Sequence, residues 1–97
     1  MNVRFAEKAI EQIAAADAWW RANRPEAKDL LMAELDAAVA LIVTAPEVGV
    51  AYLHRRVPNV RRVLLSGTHK HLYYRDDGDF LTVLALWGAV RRRGPRL

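Results

Sequence analysis

The sequence predicts an α+β domain in the order β-α-α-β-β-β, a helical hairpin packed on one face of a small, mainly antiparallel sheet. Three observations lead there. The apolar period is helical from Ala6 to about Thr44 and changes to 2 after Pro58. Proline and glycine punctuate the chain at "NRPEA", "APEVG" and "DDGD". Finally, 97 residues of which 53% are hydrophobic leave room for one two-layer core and not two, so residues 1–97 read as a single domain.

"VRF" at 3–5 is a short strand that gives way to a helix near Ala6. From Ala6 to about Asn23 the stripe Ala6, Ile10, Ile13 and Trp20 recurs at helical spacing, with Asp17 at its edge or paired with a basic group. Pro25 fits a first helical turn, and Glu26 and Asp29 favour a helix N-terminus. The second helix runs to about Thr44 with Ala27, Leu31, Leu35, Ala38 and Ile42 on one face. Pro46 stops it and Gly49 can turn the chain. After a loop through Pro58, "VRRVLL" (60–65), "KHLYYR" (70–75) and "FLTVLALW" (80–87) are strands of an antiparallel meander. Asp77–Gly78 supplies a tight turn. The last strand is apolar almost throughout, as a central strand covered on both faces must be.

Alternation places Val63, Leu65, Leu72 and Tyr74 under the helices and Arg62, Leu64, His71, Tyr73 and Arg75 on the opposite face. With one hairpin covering one side, that second face is expected to be open, basic and aromatic. Trp20 follows the core stripe, whereas Trp19 either packs at the edge of the helix pair or faces a partner.

The composition excludes several classes. Without cysteine there is no disulfide framework or thiolate site. His54, His69 and His71 have no matching set of partner ligands, so no metal and no cofactor is expected. No apolar stretch reaches a membrane span, and "MNVRFAEKAIEQ" carries acidic residues where a signal peptide has its apolar core, so a cytoplasmic protein is expected. Charge is unevenly placed. Residues 1–49 hold five basic and eight acidic groups, residues 50–97 ten basic and three acidic. The second half is an electropositive surface suited to nucleic acid or to an acidic protein.

The chain resembles the RelE/ParE superfamily of bacterial type II toxins over nearly its whole length. The resemblance rests on "WWRANRPEA", the "APEVG" stop, "VRRVLLSGTHKHLYYR" and "LTVLALWGAVRRRGP", in that order and spacing. It implies a toxin held inactive by an antitoxin encoded beside it. Within the superfamily, RelE-like members cut messenger RNA in the ribosomal A site and ParE-like members poison DNA gyrase.

RNA cleavage without metal needs a group for the 2′-hydroxyl, cations for the phosphorane and an acid for the leaving oxygen. Arg62 and His71 could serve the first two needs, with Arg91 from the tail. Leu64, however, stands where such nucleases often carry a cation, and no tyrosine or histidine follows Tyr74. Trp87 and the tail arginines cannot donate a proton usefully. An acid is missing. The resemblance therefore implies a non-enzymatic, ParE-like gyrase inhibitor, with the ribosome-dependent endoribonuclease as the alternative and a degenerate toxin that only binds its antitoxin as a third reading.

For the gyrase reading, Trp87, Arg91, Arg92, Arg93 and Arg96 would meet the target, an aromatic beside arginines being the composition of a protein-binding hot spot. Trp19, Arg62, His71, Tyr73 and Arg75 would meet an acidic, ParD-like antitoxin that folds partly on binding. Autonomous nucleic-acid binding is not expected, because the sequence shows no recognition helix and no base-stacking platform. Removal of residues 91–97 is expected to spare the fold.

Overall fold

In a computed structural model covering residues 1–97, the chain forms β1 (Asn2–Phe5), α1 (Glu7–Asn23), α2 (Leu30–Thr44), β2 (Val50–Tyr52), β3 (Val60–Leu65), β4 (Lys70–Asp76) and β5 (Phe80–Gly88). The five strands make one mixed sheet in the order β1-β5-β4-β3-β2. Only β1 and β5 run parallel; the helical pair carries the chain from β1 to β2 at the opposite edge, and the meander returns it to β5 beside β1. The fold class is the one expected, with β2 added. Three residues within a stretch ending in Pro58 are too short a run to show a period, and β2 exists because it pairs with β3, Val50 opposite Arg62 and Tyr52 opposite Val60.

The break between the helices is a separate turn of 3-10 helix, Pro25–Ala27, with α2 starting at Leu30. The Trp20 indole N–H donates to the Ala27 carbonyl at 2.7 Å and fixes this turn. Arg21 spans the same corner, 3.0 Å from both Asp17 and Asp29. Helix α2 buries Leu31, Leu35, Ala38 and Ile42, as its spacing requires. Helix α1 departs from expectation. Ala9 is its buried residue and Ile10 is 56% exposed. Small side chains let α1 lie close on β5, and the stripe in contact becomes Ala6, Ala9, Ile13, Ala16 and Trp20. Ile10 falls in a groove between the diverging helices, with Met32 and Val39 opposite.

Two polar clasps hold the loops to the main core. Glu34 accepts hydrogen bonds from the Gly67 and Thr68 amides (2.7 and 3.0 Å) and the Thr68 hydroxyl (2.8 Å), pinning the β3–β4 turn beneath α2. Tyr74 donates its hydroxyl proton to the Pro46 carbonyl at 2.7 Å and accepts from the Gly49 amide at 2.8 Å. Glycine is required at 49 for space: a Cβ would run into the Tyr74 hydroxyl.

The core on the helix side contains Leu65, Leu72, Tyr74, Leu81, Val83 and Leu86. The opposite face is not open, contrary to expectation. Val60, Tyr73 and Ala85 form a second buried cluster, covered by Tyr52, Val57, Trp87 and Leu97. A β-bulge makes this possible. Tyr73 pairs with Ala85 but Tyr74 pairs with Val83, leaving Leu84 unpaired between them. Beyond the bulge the alternation of β5 is inverted, so Leu86 joins the main core and Trp87 turns to the second face.

Candidate functional site

Trp87 lies near the end of β5, opposite His71 of β4. The chain then turns, with the Arg91 amide donating to the Gly88 carbonyl at 3.3 Å. The bare Cα of Gly88 leaves room for the Arg91 side chain, which a Cβ would approach to 3.3 Å. The Arg91 guanidinium stacks over the Trp87 ring at 4.4 Å. The Trp87 indole N–H donates to the Arg93 carbonyl at 2.7 Å. The aromatic and the arginine run are thus fastened together at one end of the sheet.

This stack forms one wall of an open cleft of about 410 Å³ whose other walls include Gln12, Trp19 and Lys70. Trp19, 54% exposed, comes from α1, and Arg24 stacks over its ring at 5.6 Å. Burial, and then the charge of Arg91, lower the Lys70 ammonium from its ordinary value of 10.5. Sequence reasoning assigned Trp19 and Trp87 to different partners, yet they line one cleft. It missed Lys70, whose only signal was a basic residue opening a strand.

The remaining expected residues fare unequally. Arg62 lies on the second face, its guanidinium 5.2 Å over Tyr52 and donating to the Tyr73 hydroxyl at 3.3 Å. Tyr73 is only 2% exposed and packs edge-on to Tyr52, so it belongs to the second core and not to a contact surface. Arg75 is an ion-paired cation, its Nε 2.6 Å from Asp77. Arg92, Arg93 and Arg96 are exposed and make no ion pair. They do not sit on a free end, however, because Pro95 is buried and Leu97 packs on the second core. His69 takes the left-handed conformation of a turn (φ 57). No three His, Asp or Glu side chains converge as metal ligands would.

His71 is half-buried on the second face, with Leu64 and Trp87 as cross-strand neighbours. Burial, and then the Arg62 charge, lower its imidazole below the ordinary 6.5. An NMR titration is expected to give a midpoint below 6.5, moved part of the way back by Arg62→Ala. Because the unfolded chain binds this proton more readily, acidification from pH 6.5 through the folded value disfavours the native state. A midpoint at or above 6.5 would mean that the imidazole stands in water.

The surface around this end thus offers an anchored aromatic–cation stack and unpaired cations, which suit an acidic macromolecular partner. Comparison with known proteins bears on the fold. No family model matches the chain, and no curated protein does. Solved structures do. A chain of the chromosomal ParDE TA system from P. aeruginosa superposes with a TM-score of 0.71 at 19% identity, covering 91% of this chain and 95% of that one. The intact E. coli RelBE toxin–antitoxin complex matches at 0.57 and 18% identity, over 93% of this chain and 98% of that chain. The isolated E. coli RelE toxin matches at 0.58 and 18% identity, over 95% and 87%. The fold is therefore that of the RelE/ParE toxin structures.

Proposed function

We propose that this protein is the toxin of a type II toxin–antitoxin pair, acting in the cytoplasm as a ParE-like inhibitor of DNA gyrase. The observation that carries the reading is the Trp87–Arg91 stack, fastened by the indole bond to Arg93. A rigid aromatic with arginines aimed outward provides binding energy and needs no proton transfer. Trp87, Arg91, Arg92, Arg93 and Arg96 are the target-binding residues in this reading, with Trp19 and Lys70 in the same cleft. The greater similarity to the ParDE chain, 0.71 against 0.57 and 0.58, agrees with it. An acidic ParD-like antitoxin neutralises the toxin by covering Trp19, Arg62 and His71 and the unpaired cations around them.

A second reading, a RelE-type ribosome-dependent endoribonuclease, is favoured by one observation. Arg62 and Trp87 both flank His71, and Arg91 lies over Trp87, so the conceivable catalytic trio is spatially related. An imidazole kept neutral near pH 7 could accept a 2′-hydroxyl proton.

The test is expression in a gyrase-competent host, with supercoiling and cleavage-complex assays on purified gyrase. Growth arrest, trapped DNA breaks and retention of activity by His71→Ala within a few-fold are expected. Loss of a general acid or base would instead cost about 10²–10⁴-fold. A-site mRNA cuts that vanish in His71→Ala would establish the nuclease, and absence of any growth arrest would leave an antitoxin-binding remnant.

A further inference from the structure

A second basic cleft, of about 480 Å³, shares no residue with the one beside Trp87. It is lined by Lys8, His54, Arg55, Arg56, Arg96 and Leu97. Three separate parts of the chain meet here: the start of α1, the β2–β3 loop and the tail. The meeting is built by specific contacts. His54 Nδ1 accepts the amides of Arg56 and Val57 at 3.2 and 3.1 Å, which bends the loop and presents both arginines. With Nδ1 accepting, the neutral ring carries its proton on Nε2, a donor. Asn59, at φ 61, turns the chain back into β3. Lys8 Nζ donates to the Arg96 carbonyl at 3.3 Å and brings the tail against α1.

No Asp or Glu side chain lines this cleft, and none of its four permanent cations forms an ion pair. Gathering four cations with no acidic side chain among them costs Coulomb energy, which a bound anion would offset. The lining also says which anion. Leu97 is its one apolar side chain. Protein-binding hot spots centre on aromatic or apolar anchors, which the Trp87 cleft has and this one lacks. Nucleic-acid interfaces are polar and strongly positive, and arginine forks grip phosphate oxygens in pairs. The cleft holds no Phe, Tyr or Trp ring, and its one aromatic side chain is the small His54 imidazole, whose Nδ1 is engaged by the loop amides, so phosphate contact outweighs base stacking here.

We propose that this cleft binds the phosphodiester backbone of duplex DNA without reading its sequence. The expectation against nucleic-acid binding rested on the absence of a recognition helix and a stacking platform. Phosphate contact needs neither. Arg96 is common to this cleft and the gyrase reading, but Arg55 and Arg56 are not used by that reading, so a test at those two arginines stands or falls independently of gyrase as the target.

The experiment is fluorescence anisotropy of the intact protein with a short labelled duplex over a range of KCl concentrations. Arg55→Gln/Arg56→Gln is compared with Arg24→Gln/Lys28→Gln at the helix break, which removes the same charge. The cleft variant is expected to lose about 10-fold in affinity at low salt and to flatten the log–log salt slope by about 2. The control pair should stay within about 2-fold of the parent. Circular dichroism checks that both variants fold. Equal losses in the two pairs would reduce the effect to net charge and overturn the proposal, as would no saturable binding at low salt. Tighter binding of a labelled single strand, or displacement of the duplex by less polyglutamate than competing duplex, would assign the cleft to RNA-like ligands or to an acidic protein.

Discussion

Removing residues 94–97 is expected to destabilise the native state by about 2–4 kcal/mol, a large share of what a small domain possesses. Four contacts argue for it. Pro95 is buried, Leu97 packs on the cluster of Val60, Tyr73 and Ala85, Gly94 lies so close to the Tyr52 hydroxyl that a Cβ would clash with it, and Lys8 holds the Arg96 carbonyl at 3.3 Å. Deletion would uncover Tyr73, which is 2% exposed in the intact chain. Urea unfolding should show the midpoint falling by about 1–2 M, given the slopes usual for small proteins. Gly94→Ala should show part of the same loss without removing any residue. A truncated protein that unfolds at the parent's midpoint would show that the tail contributes nothing to the core. The sequence alone suggests that the fold survives even the longer deletion of residues 91–97, because the meander ends by Trp87. What it does not show is that Leu97 folds back to cover part of the far face of the sheet.

That difference has a local cause. The two helices and the three long strands were legible because each is a patterned or apolar run of six or more residues, as Leu31, Leu35, Ala38 and Ile42 show on α2. Strand β2 and the bulge repeat nothing. Strict alternation along β5 from Leu81 would place Ala85 and Trp87 under the helices, yet the extra residue at Leu84 moves both to the opposite face. One unpaired residue thus decides which side of the sheet carries Trp87. Charge counting found the electropositive half but could not divide it. Arg75 is paired with Asp77, Arg62 is engaged by two tyrosines, and "HRR" at 54–56 was passed over although His54 organises a cleft around it. Ion pairs and turns between distant residues leave no periodic trace, and those are the contacts that separate free cations from neutralised ones.

Because truncation would damage the fold, the role of the tail in the proposed activity has to be read from substitutions that leave it in place. Arg91→Ala is expected to weaken gyrase inhibition by about 30-fold or more, the scale on which a hot-spot arginine acts. Its effect on stability should be small. The Arg91 side chain is exposed and its stacking on Trp87 is worth roughly 0.5–1 kcal/mol at such a site. Arg91→Lys should recover part of the inhibition, since lysine keeps the charge but lacks the planar fork that stacks on the ring and grips a carboxylate in two places. Trp87→Phe retains a ring and loses the 2.7 Å bond to the Arg93 carbonyl, so it should loosen the whole run Arg91–Arg93 and weaken inhibition further than Arg91→Lys does. Arg92→Ala and Arg93→Ala, whose side chains are exposed and unstacked, should each cost less than Arg91→Ala. The measurements are the inhibitory concentration in a supercoiling assay and growth arrest on expression, each paired with a urea midpoint. If Arg91→Ala inhibits like the parent, the anchored stack is not the contact with the target. If the midpoint falls with the activity, the arginine acts through the fold, and the exposed Trp19 across the cleft becomes the residue to replace next.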